Sequence, residues 1–135
     1  MTAHLFNLRV YWEDTDAGGL VYHANYLKFA ERARTEMLRH LGIEQDKLRA
    51  DTGLMFVVRR LVAEFLQPAR LDDELAVATQ LKHLGGASLD LDQEVRRADN
   101  ALVRLALRIA CIGQDGRPSR LPDDIVNRFT PLNTH

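Results

Sequence analysis

Residues 26–41 read YLKFAERARTEMLRHL, with Tyr26, Ala30, Ala33, Met37 and Leu41 recurring at steps of three and four. Lys28, Glu31, Arg32, Thr35, Glu36 and Arg39 fill the other face. The spacing predicts an amphipathic helix of about four turns over residues 25–41, ended by Gly42 as a left-handed cap. Ala30 and Ala33 on the apolar face would let its axis approach whatever it packs on. Upstream, residues 5–12 (LFNLRVYW) alternate weakly and are rich in Leu, Val and aromatics, which suits a strand, and EDTDAGG breaks it. Downstream, IEQDKLRADTG is polar, with room for one short helical turn.

Four extended runs then follow: MFVVRRLVAEFLQPA, DELAVATQLKHL, SLDLDQEVRRA and ALVRLALRIACIG. Pro68 with LDD, Gly85-Gly86, Asp99-Asn100 and QDGRP separate and close them, and the two middle junctions are short enough for hairpins. Leu89 and Leu91 against Asp90 and Asp92 mark one dry and one wet face. LVRLALRIACI is nearly all apolar, as expected of a strand buried on both sides. One strand, a long helix and four antiparallel strands make an α+β fold: a helix covering one face of a five-stranded antiparallel sheet. The sheet's exposed edge must be managed, and pairing with a second copy is one solution.

At 135 residues and 46% hydrophobic content, the chain fits a single domain over 1–135, with 129–135 a frayed tail. A net charge of -1 sets up no overall field toward nucleic acid or anionic membrane, and no basic stripe with interleaved aromatics is present. The start carries no leader pattern and no stretch approaches the length of a transmembrane helix, so the expectation is a cytoplasmic protein without a transmembrane segment. Basic residues are 15 Arg and 3 Lys, which fits either phosphate and carboxylate recognition or a coding bias.

Several chemistries are disfavoured. The only serines, Ser88 and Ser119, lie in no G-x-S-x-G turn, and the lone Cys111 sits mid-strand with no His nearby. The histidines at 4, 23, 40, 83 and 135 lack metal-ligand spacing, so no metal is expected. No phosphate-cradling glycine loop occurs. What remains is Trp12–Tyr26, which holds Glu13, Asp14 and Asp16, the Gly18-Gly19 pair, His23, Tyr22 and Tyr26 directly before and into the helix. The glycines permit close backbone approach, and a helix start offers unpaired N–H groups and the positive end of a dipole, which suit an oxyanion. A carboxylate held there is either a general base or nucleophile, or a helix cap. His23 is either catalytic or a packed side chain, Tyr22 and Tyr26 read as core or rim aromatics, and Glu13 and Asp14 as solvated turn charges.

Tyr11-x-x-x-Thr15-Asp16-x-x-Gly19-x-Val21-Tyr22-His23-x-x-Tyr26 resembles the signature of the 4-hydroxybenzoyl-CoA thioesterase family, in particular its Tol-Pal-associated acyl-CoA thioesterase branch. The similarity continues through ERARTEMLR, FVVRR, PARLDD and the hairpin entering Ser88-Leu89, so it spans roughly residues 8–128. It implies a hotdog fold, with edge-to-edge homodimers that often pair into a homotetramer. It further implies Asp16 as catalytic aspartate, with the thioester carbonyl polarised by backbone N–H groups around Tyr22 to Ala24. His23 matches the branch and not the archetypal enzyme, which carries an aromatic there, and this argues against a hydroxybenzoyl substrate. Leu20 and Trp12 depart conservatively from the branch pattern and bear on the shape of the acyl pocket.

The resemblance thus points to hydrolysis of a short to medium aliphatic acyl-CoA by Asp16 with His23. Gly19, Tyr22, Ala24 and Tyr26 are the expected substrate contacts, and no cofactor is expected beyond the coenzyme A of the substrate itself. Among Arg59, Arg60, Arg96, Arg97, Arg117 and Arg120, Arg59 is singled out for the coenzyme's phosphates because it follows the dry FVV run. Ser88 is singled out because its hairpin would open toward the pantetheine channel. Two other activities fit the same residues: a hydroxyacyl-thioester dehydratase of the same fold, and a non-catalytic partner of acyl carrier protein or the envelope machinery.

Overall fold

A computed structural model of the chain describes residues 3–130 and residue 132. The elements run β1 (His4–Arg9), a 3-10 turn (Trp12–Asp14), α1 (His23–His40), α2 (Gln45–Thr52), β2 (Met55–Phe65), β3 (Glu74–Leu84), β4 (Ser88–Arg97), β5 (Asn100–Ile112) and α3 (Asp123–Arg128). The five strands form one antiparallel sheet in the order β1-β3-β4-β5-β2, so the α+β class and the helix-on-sheet arrangement are as expected.

The apolar stripe of α1 is buried as its spacing requires, with Phe29, Ala30 and Ala33 fully covered and Tyr26, Met37 and Leu38 nearly so. The helix rests on β1, β3 and β4. The small Ala30 brings the backbone close enough for Gln93 of β4 to donate from Nε2 to the Ala30 carbonyl, at 2.9 Å. Gly42 has φ +82, the left-handed conformation anticipated for the helix end. The helix begins at His23 rather than Asn25, which places His23 and Ala24 in its first turn. The polar segment after it forms eight residues of helix, α2, longer than the single turn expected.

The first hairpin closes where anticipated, and the second turns one residue earlier than the expected Asp99-Asn100, since Asn100 already opens β5. β3 and β4 join around Gly85-Gly86, and β4 and β5 around Ala98 and Asp99, with Ala98 at φ +52. Leu89, Leu91, Gln93 and Val95 face the helix, while Asp90, Asp92 and Glu94 face outward. On that outer face Asp90 pairs with Arg108, Asp92 with Lys82, and Glu94 with both Arg96 and Arg104. This corrects the expectation for β5. It is not dry on both sides: Arg104, Ala106 and Arg108 are exposed, because only its other face meets the core.

β2 pairs with β5 on one side only and is an edge strand of 11 residues, irregular between Val58 and Arg60. Val58, Val62, Phe65 and Leu66 are exposed along and just beyond it. The frayed tail expected over 129–135 lies partly outside the described residues. Of those described, Phe129 and Leu132 are buried in the core beside Ile125, so the chain packs beyond α3 instead of fraying at 129.

Candidate active site

Residues 14–22 form a loop that closes on itself and delivers the chain into α1. Thr15 bridges Val21, Asp16 N–H donates to the Leu20 carbonyl at 2.8 Å, and Gly19, at φ +78, makes the reversal. The loop is stitched to the segment before β3: Leu20 bridges Arg70, and Val21 N–H donates to the Ala69 carbonyl at 2.9 Å. Asp16 is exposed at the mouth of this loop. Its Oδ1 accepts N–H bonds from Gly18 at 2.9 Å and Leu20 at 3.3 Å, which orient the carboxylate, and Oδ2 accepts none among the described residues. One oxygen is therefore held by the loop and the other is open to solvent or a ligand.

The helix start supplies donors. Tyr22 N–H is already committed to the Asp14 carbonyl at 2.9 Å, and Asn25 N–H to the Tyr22 carbonyl at 2.8 Å. His23 and Ala24 stand at the first two helical positions, whose N–H groups have no acceptor within the helix, and among the described residues none is found outside it. The donors expected around Tyr22 to Ala24 thus reduce to His23 and Ala24. His23 is exposed, its ring 4.5 Å from that of Tyr22 and 6.3 Å from that of Phe65 on β2. Tyr22 is half exposed. The loop thus carries an exposed carboxylate, and the helix it leads into carries two free N–H groups at its positive end beside aromatic rings, groups suited to a polarised carbonyl next to an apolar group.

Two residues act differently from expectation. Asp14, read as a solvated turn charge, is buried at 4% exposure: Oδ1 accepts from Asn25 Nδ2 at 3.0 Å and Oδ2 from Tyr11 N–H at 2.9 Å. It ties the loop to the helix and so positions His23 and Ala24. Its only sequence signal was Asn25, a polar residue on the otherwise apolar side of the helix start. Tyr26, expected to contact substrate, is buried at 3% exposure, and its hydroxyl accepts the Ala69 N–H at 2.9 Å. Burial pushes its phenol above the ordinary tyrosine range, and the Ala69 bond opposes this only in part. In this position it pins α1 to the segment that also holds Val21.

Arg59 and Ser88 are not brought to Asp16 within one subunit. Arg59 is exposed at the irregularity of β2. Ser88 opens β4, whereas Arg97 at the other end of that strand donates to the Pro68 carbonyl and to Asp73, next to the segment carrying Ala69 and Arg70. Ser88 therefore stands about 30 Å away along the strand. A cavity of about 250 Å³ with a mixed polar and apolar lining also lies away from Asp16, under the C-terminal half of α1.

Residues 10–129 match the model of the thioesterase-like superfamily. The chain is 46% identical over 124 residues to the acyl-CoA thioester hydrolase YbgC of Escherichia coli O6:H1, covering 90% of this chain and 92% of that protein. It is 45% identical over 128 residues to the acyl-CoA thioesterase YbgC of Haemophilus influenzae, covering 94% of each. Among solved structures, a probable thioesterase from Bartonella henselae superposes with a TM-score of 0.86 at 40% identity, covering 90% of this chain and all of that one.

Proposed function

Because the chain belongs to the thioesterase-like superfamily and is an acyl-CoA thioester hydrolase of hotdog fold, we propose that it hydrolyses short to medium aliphatic acyl-CoA with Asp16 as the catalytic carboxylate. The observation that carries this reading is the pairing of a loop-held carboxylate, one oxygen open, with unspent His23 and Ala24 N–H groups at the start of α1. The thioester oxygen sits at those two donors, where the helix dipole favours the charge that develops in the tetrahedral intermediate. Asp16 Oδ2 takes a proton from water as the water oxygen bonds to the carbonyl carbon, and collapse of the intermediate expels the thiolate of coenzyme A. Direct attack by Asp16, forming a mixed anhydride that water then opens, uses the same geometry. His23 orients water or substrate beside the thioester, and Gly19 keeps the backbone open at the loop.

The substrate's phosphates need cations; Arg70, whose backbone bridges Leu20, stands beside the Asp16 loop within one subunit, and β2 offers a way to supply Arg59 as well. An exposed edge strand lined by Val58, Val62 and Phe65 is suited to antiparallel pairing with the same strand of a second copy. The resulting dimer carries Arg59 and the Ser88 hairpin of one subunit toward the other subunit's loop, and two dimers form the tetramer. The pantetheine arm is common to coenzyme A and acyl carrier protein, so the carrier protein is a second donor of the acyl group in this reading, which also includes an envelope role alongside Tol-Pal. No described helix is long and apolar enough to cross a membrane.

Asp16→Asn is the deciding experiment. The amide oxygen still accepts the Gly18 and Leu20 N–H bonds, so the melting temperature should hold while thiol release over an acyl-CoA length series falls by roughly 10²- to 10⁴-fold. Turnover equal to the parent's would overturn the assignment.

A further inference from the structure

Arg34 is a half-buried cation that the chemistry at Asp16 leaves unused. Its Nη1 donates to Gln93 Oε1 at 3.0 Å, and the Gln93 amide is itself anchored by Nε2 on the Ala30 carbonyl at 2.9 Å and on Thr79 Oγ1 at 3.0 Å. Gln93 is 2% exposed, so the guanidinium is fixed by a buried polar anchor on the sheet. It lines the cavity of about 250 Å³, whose walls include Phe56, Val58, Leu89, Leu91 and Ile109. Among the described residues no carboxylate lies within ion-pair distance of it. Glu31, one turn earlier, shares the cavity's rim and is exposed to solvent. Burial lowers the pKa of Arg34 and Glu31 opposes this, yet a guanidinium stays protonated in water. One of its donors is spent on Gln93 and the rest are unspent. Thr35 and Gln45 add polar groups to the lining, and the apolar part of the wall, with a fixed cation beside it, suits a short apolar chain that terminates in a carboxylate.

The cavity joins the Asp16 site if β2 pairs with its own copy, and a role for Arg34 in hydrolysis therefore rests on the thioesterase reading. Phe65, at one end of β2, lies beside His23 and Tyr26, while Phe56 and Val58, near the other end, line the cavity. Antiparallel pairing of the whole strand about its centre, Arg60, sets Phe65 of one subunit against the partner's Met55. An acyl chain leaving the thioester at His23 and Ala24 then passes Phe65 and enters the partner's cavity, toward the partner's Arg34. We propose that Arg34, held by Gln93, is a specificity-determining residue that reads the far end of the acyl group, and that the preferred substrates are coenzyme A monothioesters of dicarboxylic acids.

The test compares kcat/KM for matched pairs of acyl-CoA, methyl-terminated and ω-carboxylated, over chain lengths of about four to ten carbons. The wild type should favour the carboxylated member at one or more lengths by on the order of tenfold or more, carried mainly in KM, since a hydrogen-bonded ion pair is at stake. Arg34→Gln should collapse that ratio, and Arg34→Lys should restore part of it. A wild-type ratio near one at every length, or a ratio that survives in Arg34→Gln, overturns the proposal. A readout independent of turnover is the melting temperature in free adipate, which should rise for the wild type and for Arg34→Lys and not for Arg34→Gln. If Arg34→Gln does not fold, the ratio in Arg34→Lys, which must fall below the wild-type value, decides instead. Absence of any acyl-CoA turnover by a wild type that adipate still stabilises would remove the thioesterase reading and leave the carboxylate site standing. Absence of adipate stabilisation with active hydrolysis would do the reverse.

Discussion

Replacing Asp14 with alanine strips the acceptor from both Tyr11 N–H and Asn25 Nδ2 at the junction of loop and helix. Hydrogen bonds to a charged group at a buried position are the costly ones to break, so Asp14→Ala should lose about 2–3 kcal/mol in urea unfolding. Activity should fall with it, because His23 and Ala24 lose their fixed position. Tyr26→Phe leaves the Ala69 N–H without its acceptor and should lose about 1–2 kcal/mol, a result that separates a structural Tyr26 from a substrate contact. The loop that carries Asp16 was legible in the sequence because the glycine pair and the helix start surround it locally, while a catalytic role for Asp16 came from the family resemblance and not from that spacing. Asp14 was not, since an acidic residue two positions away looks the same until Asn25 is seen above it. Cys111 was legible as a buried small hydrophobe, and burial pushes its thiol above the ordinary range. A disulfide reagent should leave it unmodified in the native protein and titrate it fully in denaturant.

Among the elements, β2 carries the largest consequence. Val62→Lys puts a charge at an exposed position of a free edge, where it should be nearly neutral for a monomer. If the edge pairs with a second copy, two lysines crowd the joint. Sedimentation should then show monomer at concentrations where the parent is larger, and a dimer of undiminished affinity would sink the edge-pairing arrangement. The core face of α1 offers the opposite test. Ala33 is fully covered, so Ala33→Leu should overpack the helix against the sheet and cost about 1–3 kcal/mol. β5 shows where an apolar count misleads: its hydrophobic letters suggested two dry faces, yet Arg104 and Arg108 recur at the strand's outward positions and meet Glu94 and Asp90 across the ladder.

For the whole molecule, the carboxylates on or beside the sheet set the acid limb of stability. The Arg108 hydrogen bond holds Asp90 below the usual carboxylate range, and the Arg96 bond, with help from Arg104, does the same for Glu94. For Asp73 burial pushes upward, and the Arg70 N–H and Arg97 bonds together outweigh it. In each case the unfolded chain takes up protons first, so the stabilisation is complete above the ordinary range near pH 4 and is lost as pH falls through the lower folded values. His4 extends this limb upward. Burial, reinforced by His40 and opposed by Glu36, lowers its pKa, so the folded state favours the neutral ring and stability declines as pH falls below about 6.5. Melting temperatures should therefore drop between pH 7 and 5 and again below pH 4, and His4→Leu should flatten the first step only. A profile unchanged by His4→Leu would assign that step elsewhere.

Period and punctuation are properties of neighbours along the chain, and they sufficed for the helix at 26–41, the glycine hairpin, the alternation of β4 and the Asp16 loop. Strand order, the lone pairing of β2, the burial of Asp14 and of the Tyr26 hydroxyl, and the packing of Phe129 and Leu132 were decided only in the folded molecule. Each depends on groups that are distant in sequence or on whether a polar side chain finds a partner once water is excluded, as Tyr26 finds Ala69 and Gln93 finds Ala30.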